Sequence, residues 1–383
     1  MLWLAALAPC AALSQPASIV IGAVVSQTGA HADLADPYRK GMLLWQEQTN
    51  ASGGLLGRPV ELRILDDRSE ATAVAALYST LIRNQGADAL IGPYGTAATT
   101  AASPEAEAAK RVMVSGAAWS RSVHKRTPRY LFQACAPYVS FGAGVVAIAK
   151  ESGYRRLAVL ARDEVAAREM AAGTVEVATK LGLQAGEVVV YSGDASDFAP
   201  LIAKVAAGQP DAWIAFGELR DAGELVKAMK KVGYAPKLFF ARSASDRRLM
   251  DLLGQDAERA LGAAEYSPRF PTAGNAAFVK AYTEKWKAAP TAAAAEGYAA
   301  ATVLAEGIKR AGSTKGEALR AALGSLVTGT VLGEYKVNAA GEQVGIVPVV
   351  TQIQEGRVQP VWPQPLAAAK LLPYPHWAER EYK

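Results

Sequence analysis

SIVIGAVVSQTGAHADLADPYRKGMLLWQEQTNASGGLLGRPVELRILDD, residues 18–67, decides the fold. Two short β-like runs, SIVIGAVV (18–25) and VELRILDD (60–67), close its ends. Between them DPYRKGMLLWQEQTNA (36–51) reads as a helix, with Asp36 as N-cap and Pro37 at the first helical position, where its missing N–H costs nothing. Strand, helix, strand is the unit of a parallel sheet. Gly53, Gly54 and Gly57 lie between helix and strand. They stop the helix; a phosphate loop runs the other way, from strand to helix N-terminus.

The rhythm continues outward. TAVAALYSTLIRNQG (72–86) is helical, ADALIG (87–92) β-like, SPEAEAAKR (103–111) helical and VMVSGA (112–117) β-like. After Pro137 it restarts, with β-like runs at RRLAVLARD (155–163), GEVVVYSG (186–193), DAWIAFG (211–217) and KLFFAR (237–242) separated by helical stretches. Helices at 273–289, 291–311 and 315–324 follow, then a hairpin, VLGEYKVNAAGEQ (331–343), and VPVVTQIQEGRVQPV (347–361). The tail, LLPYPHWAEREYK, reads as an irregular segment packed on the surface. The expected fold is α/β: two doubly wound parallel-sheet lobes.

Bulk composition agrees. The chain has 383 residues, 51% hydrophobic and 20% charged, with a net charge of +5. That is an ordinary globular balance at a length that calls for more than one domain. No basic run interleaves with aromatics, so no nucleic-acid partner is expected. MLWLAALAPCAALS (1–14) is too short to span a bilayer and ends in a small-x-small pattern, which reads as a signal peptide and places the protein in the periplasm. It lacks a Lys or Arg after Met1, and Cys10 leaves lipidation as the alternative to simple cleavage. Beyond it the sole cysteine is Cys135, so no internal disulfide is expected.

Enzyme signatures are missing: no GxSxG, HExxH, GxxxxGK[ST] or paired CxxC occurs, and His31, His124 and His376 share no ligand spacing. No catalytic residue, metal or cofactor is assigned. Ligands of open α/β sheets sit beyond the carboxyl ends of the strands, so the bends to inspect are Ser26–Gly29, Pro93–Thr96, Ala117–Ser120, Asp163-Glu164, Gly217-Glu218 and Arg242-Ser243. Three come from each half, which suggests a cleft between two lobes. At IGPYGTAATTAAS (91–103) glycines turn the chain and Thr96 opens a helix, whose free N–H groups attract an anion by roughly 0.3–1 kcal/mol. Ser26 and Thr28 repeat the pattern. The plainer reading is that these hydroxyls cap their own helices. A hydroxyl bonded to a carboxylate adds about 1.5–3 kcal/mol, still short of the roughly 8 kcal/mol of micromolar binding, so a second lobe must close over the ligand.

Asn50-Ala-Ser-Gly53-Gly54-Leu-Leu-Gly57-Arg58, followed by Asp66-Asp67, resembles a signature of the leucine/isoleucine/valine-type solute-binding proteins of ABC importers. So do Ser26–Gly29, Ile91-Gly92-Pro93, Asp197-Phe198, Gly297-Tyr298-Ala299-Ala300, Glu317-Ala318-Leu319, Trp362-Pro363 and Pro375-His-Trp377, an ordered set covering nearly the whole mature chain. The resemblance implies a type I periplasmic binding protein joined by a three-segment hinge. Its crossings would fall near Gln133–Pro137, Ala263–Ser267 and Gly345–Pro348. Lobe one would be 18–135 plus 265–345, and lobe two 136–264 plus 346–383. It also implies a monomer that hands its ligand to ABC permease subunits.

By position, the resemblance puts the ligand carboxylate on Thr96, with Tyr94 and Gly95 beside it, and further contacts on Ala118, Trp119 and Ser120. Lobe two departs from the pattern. Covering aromatics fall near Ala166 and Glu218, the ammonium-pairing acid falls on Arg242, and the first-lobe disulfide positions read about Ser69 and Gly95. Arg242 suits a carboxylate. The ligand then carries a second acid, or is an aromatic acid sandwiched by Tyr94 and Trp119. Alternatively an amino acid keeps its ammonium on Glu218 or Asp163 with Arg242 paired to one of them, or Arg242 is a plain surface arginine. The expected function is capture of a small carboxylate, a hydrophobic amino acid or an aromatic acid, without chemistry. The rivals are a sensing domain of the same fold and an α/β enzyme.

Overall fold

The computed structural model describes residues 17–380; the leader reading and Cys10 lie outside the described residues. The first sheet has β1 (Ile19–Val25), β2 (Val60–Asp66), β3 (Ala89–Ile91), β4 (Met113–Ser115) and β5 (Leu131–Gln133), ordered β2-β1-β3-β4-β5. All its pairings are parallel. Helices α1 (Ala32–Ala51), α2 (Val74–Arg83) and α3 (Thr96–Ala108) are the crossovers. β1, β3, β4 and β5 are buried almost throughout, as strands of a parallel sheet covered on both faces are, while the edge strand β2 is half-buried beyond Val60.

After β5 the chain enters a second sheet through α4 (Ala143–Glu151). There β6 (Arg156–Arg162), α5 (Val165–Lys180), β7 (Gln184–Ala185), β8 (Val189–Tyr191), α6 (Ala199–Ala206), β9 (Ala212–Phe216), α7 (Leu219–Lys231), β10 (Leu238–Ala241), α8 (Arg248–Leu253) and β11 (Leu261–Ala264) follow. The run GEVVVYSG gives one strand, β8; the two-residue β7 lies just before it, and both pair with β6. The chain then returns to the first sheet with α9 (Asn275–Trp286), α10 (Ala292–Ala311), α11 (Gly316–Gly324) and a small ladder, β12 (Thr328–Thr330) with β13 (Gly333–Tyr335). It crosses a third time to β14 (Val349–Gln354) and β15 (Arg357–Trp362). These two add an antiparallel margin to the otherwise parallel second sheet. The tail packs on that lobe, with Tyr374 in its core and Trp377 Nε1 donating to the Tyr234 carbonyl at 2.6 Å.

The start of α1 differs from expectation. The helix begins at Ala32, so Asp36 and Pro37 lie inside it, not at its cap. Ala32 to Ala35 are compatible with helix, and Asp36 pairs along the surface with Arg39 at 2.6 Å and Lys40 at 2.7 Å. Pro37 removes one bond, to the carbonyl of Asp33, near the helix start, which a packed helix tolerates.

Helix α10 lies against α1 on two glycines. A Cβ on Gly297 would stand 2.1 Å from the Tyr38 carbonyl oxygen, and one on Gly41 2.1 Å from that of Ala294. The backbones therefore touch, and the C-terminal α10 seals the core over the N-terminal sheet. No helix among the described residues is long and apolar enough to cross a membrane.

Candidate functional site

The strand ends of both sheets meet where the chain crosses between them. At the end of β3 the chain turns through Gly95, whose φ of 107° only glycine adopts readily, and α3 starts at Thr96. The Thr96 hydroxyl accepts from the Ser120 N–H at 3.3 Å, so the two bends are one unit. Gly95 N–H donates to the Ala117 carbonyl at 3.0 Å. The Ala118 carbonyl accepts from the buried Gln133 side chain.

A carboxylate already sits on this unit. Glu169, from α5 of the second lobe, accepts the Ser120 hydroxyl at 2.6 Å and the Arg121 N–H at 2.7 Å. Arg121 in turn pairs with Glu176 of α5 at 3.1 Å and Glu342 at 2.9 Å.

A chain of rings crosses the joint. Tyr94 meets Trp119 edge-on at 5.4 Å, Trp119 stacks on Tyr138 at 6.1 Å, and Tyr138 tilts against Phe141 at 6.2 Å. Tyr94 and Trp119 thus fill each other's space, and no ring fits between them, contrary to expectation. Trp119 also donates its Nε1 to Glu296 at 2.8 Å. The Arg242 guanidinium lies over Phe141, 5.3 Å from the ring centre, which holds it in place.

On the second-lobe side an open groove of about 710 Å³ is lined by Arg242, Glu265, Tyr266, Ala166, Met170 and Glu218, among others. Thr96 and Ser120 are not in its lining. Arg242 makes no ion pair within the described residues, whereas Glu164, Glu218, Asp246 and Arg248 of the same groove are engaged. Arg162 pairs with Glu164 at 2.5 Å, the buried Asp221 at 3.2 Å and Glu218 at 3.7 Å. Asp163 is exposed and bound to Arg168 at 2.8 Å. Neither Glu218 nor Asp163 is therefore Arg242's partner, and Asp163 does not reach the groove.

The Ser26 and Thr28 bend is also occupied. Ser26 donates to Asp67 at 2.6 Å and Thr28 to Asp66 at 2.7 Å. Two carboxylates there repel an acid ligand, so these hydroxyls hold the β2 turn and do not face a solute. Ser69 joins the same knot, bonding the Thr28 carbonyl at 2.9 Å. The Cys135 thiol is free and buried, and burial pushes its pKa well up.

Two acids escaped the sequence reading. Glu296, on α10, is 2% exposed, and burial, then the neighbouring Glu265, raise its pKa well above the carboxylate range. Glu265, at the second crossing, has an Oε1 with no accessible surface and no hydrogen-bond partner. Burial pushes it up to about 7, opposed by the Arg242 charge and by the Ala136 N–H. The signal for Glu296 was a lone charge inside AAAAEGYAAA (292–301); for Glu265 it was an acid directly after the β11 run. Both folded-state values lie above the unfolded ones. For Glu265 the contribution to stability is therefore full below the unfolded carboxylate range and lost as pH rises through about 7, and Glu296 acts in the same direction. Glu296→Gln, which keeps an oxygen for Trp119, is expected to flatten that fall, read as melting temperature between pH 5 and 8.

Two parallel-stranded lobes, three connections and a charged groove at the junction define a type I periplasmic binding protein. The chain belongs to the Periplasmic binding protein family, which matches it over residues 18–357. It is 27% identical over 225 residues to an amino acid binding protein of Pseudomonas aeruginosa; the match covers 57% of this chain and 58% of that protein. A crystal structure from Rhodospirillum rubrum, assigned to a branched-chain amino acid ABC transporter, superposes with a TM-score of 0.82 at 20% identity, covering 90% of this chain and all of that one. A solute-binding protein of R. palustris solved with benzoate gives a TM-score of 0.64 at 19% identity, covering 89% of this chain and 94% of that one.

Proposed function

We propose that this protein is an exported, monomeric solute-binding protein that captures a small carboxylate between its lobes and delivers it to the membrane subunits of an ABC importer. The observation that carries this reading is Arg242. It is a guanidinium held over an aromatic ring, without an ion pair among the described residues, in a groove of about 710 Å³, which suits a small solute. A planar fork of this kind suits a carboxylate.

Within that class an amino acid is favoured. Glu265 lines the same groove as Arg242 and has no ion pair among the described residues, so it offers an acid to an ammonium beside the guanidinium. Ala166, Ala167, Met170 and Tyr266 supply an apolar wall for a hydrophobic side chain. An aromatic acid is the second reading, supported by the benzoate complex of the R. palustris protein. Binding would shift an open–closed equilibrium, with the closed form presented to the permease.

Calorimetry tests this with L-leucine, L-phenylalanine, L-glutamate, benzoate and glutarate. At least one is expected to bind with micromolar affinity or better. At a hundredfold excess over its dissociation constant, that ligand stabilises the fold by roughly 2.7 kcal/mol, visible as a raised melting temperature. If no acid of the panel gives either heat or a thermal shift, the proposal falls.

A further inference from the structure

The carboxylate on Ser120 and Arg121 belongs to the protein itself. We infer that Glu169 is an internal substitute for a solute carboxylate: it occupies the bend of the first lobe whenever the lobes approach, and so directs the solute's acid group to Arg242. The inference deepens the proposed function and rests on it only for the part that concerns solutes.

The geometry is that of a bound anion. Glu169 takes one hydroxyl donor at 2.6 Å and one backbone donor at 2.7 Å, one on each oxygen. Its acceptor side leaves no room for a second acid on the same donors, since each has a single proton to give. Ser120 is 3% exposed, so this hydroxyl has little access to water as an alternative partner. Thr96, which accepts from the Ser120 N–H, is kept in register by the same arrangement. The groove wall confirms the division of space: it contains Ala166, Ala167 and Met170 of the Glu169 helix together with Arg242, and excludes Thr96 and Ser120. Helix α5 thus presents its apolar residues to the groove and its acid to the opposite lobe. A second contact two turns along the same face, Glu176 with Arg121 at 3.1 Å, ties the same helix to the same bend. Glu169 and Glu176 of one helix thus bridge the second lobe to residues 120 and 121 of the first.

Two consequences separate this from a chance surface contact. The lobes should approach without any solute, and freeing the bend should create a second place for an acid. The test pairs a solute-free readout with a binding readout. Small-angle scattering and an interlobe fluorescence distance are recorded on the solute-free wild type, Glu169→Ala and Glu169→Gln. The alanine variant is expected to be the more open, with glutamine between. Binding of L-leucine and of benzoate is then compared in Arg242→Ala and in the double variant Arg242→Ala, Glu169→Ala. The double variant should regain at least a tenfold share of the affinity that Arg242→Ala loses.

An unchanged interlobe distance in Glu169→Ala overturns the bridge, whatever the protein binds. A double variant no better than Arg242→Ala overturns the redirection. If neither probe binds any form while the distance does change, the bridge stands and the carboxylate-solute reading fails together with the redirection. Melting temperatures of the variants, recorded alongside, show that each is folded.

Discussion

Arg242→Ala should weaken binding of the solute by roughly 10- to 150-fold. A hydrogen bond to a charged group is worth about 1.5–3 kcal/mol, and each 1.4 kcal/mol is tenfold. The upper half of the range is expected because Phe141 holds the guanidinium in place before the solute arrives, so little ordering entropy is lost on binding. Arg242→Lys should restore charge but not the planar fork, and should recover only part of the loss. Titration calorimetry of the three proteins with one bound acid decides the matter. Equal dissociation constants would reduce Arg242 to a surface arginine.

The second large effect is on stability. Gly297→Ala should destabilise the fold by about 1–3 kcal/mol, and Gly297→Val by more, read as a lower midpoint in urea. Elsewhere in a helix the same change to alanine stabilises by roughly 0.5–1 kcal/mol. Here the new carbon would stand 2.1 Å from a backbone oxygen of α1, which has no rotamer to yield. Separation of the helices must follow, and steric cost outweighs propensity. A midpoint unchanged or raised would show that the seam has slack. Because Gly41 faces Ala294 in the same way, the double variant should lose less than the sum of the two singles: once the helices have parted, the second carbon finds room.

Much of the architecture was legible in sequence because its signal is local. Apolar runs such as SIVIGAVV and ADALIG become β1 and β3 since a covered parallel strand needs continuous hydrophobicity. The α10 boundary was near-legible for the same reason, with Thr291 accepting from the Ala294 N–H at its start. What failed was local evidence overruled by longer-range partners. Asp36 carries the residue type of a cap, yet Arg39 and Lys40 draw it to the helix surface. Ser26 and Thr28 carry the hydroxyls of a ligand bend, yet Asp66 and Asp67 of the adjacent strand take both protons. In the site, the Thr96–Ser120 unit follows from turn chemistry, and Arg242 from its place at the end of β10. Glu169, Glu265 and Glu296 do not, because their meaning lies in which element they face. No spacing rule brings residue 169 to residue 120.

The glycine seam between α1 and α10 also bears on how the protein is made. Residues 32–51 are synthesised early, but their cover arrives only at 292–311, after the entire second lobe. Until then the core of the first sheet is open, so this half cannot complete folding on a growing chain. A polypeptide kept loose in this way until nearly all of it has been translated is suited to threading through a secretion channel before it becomes compact.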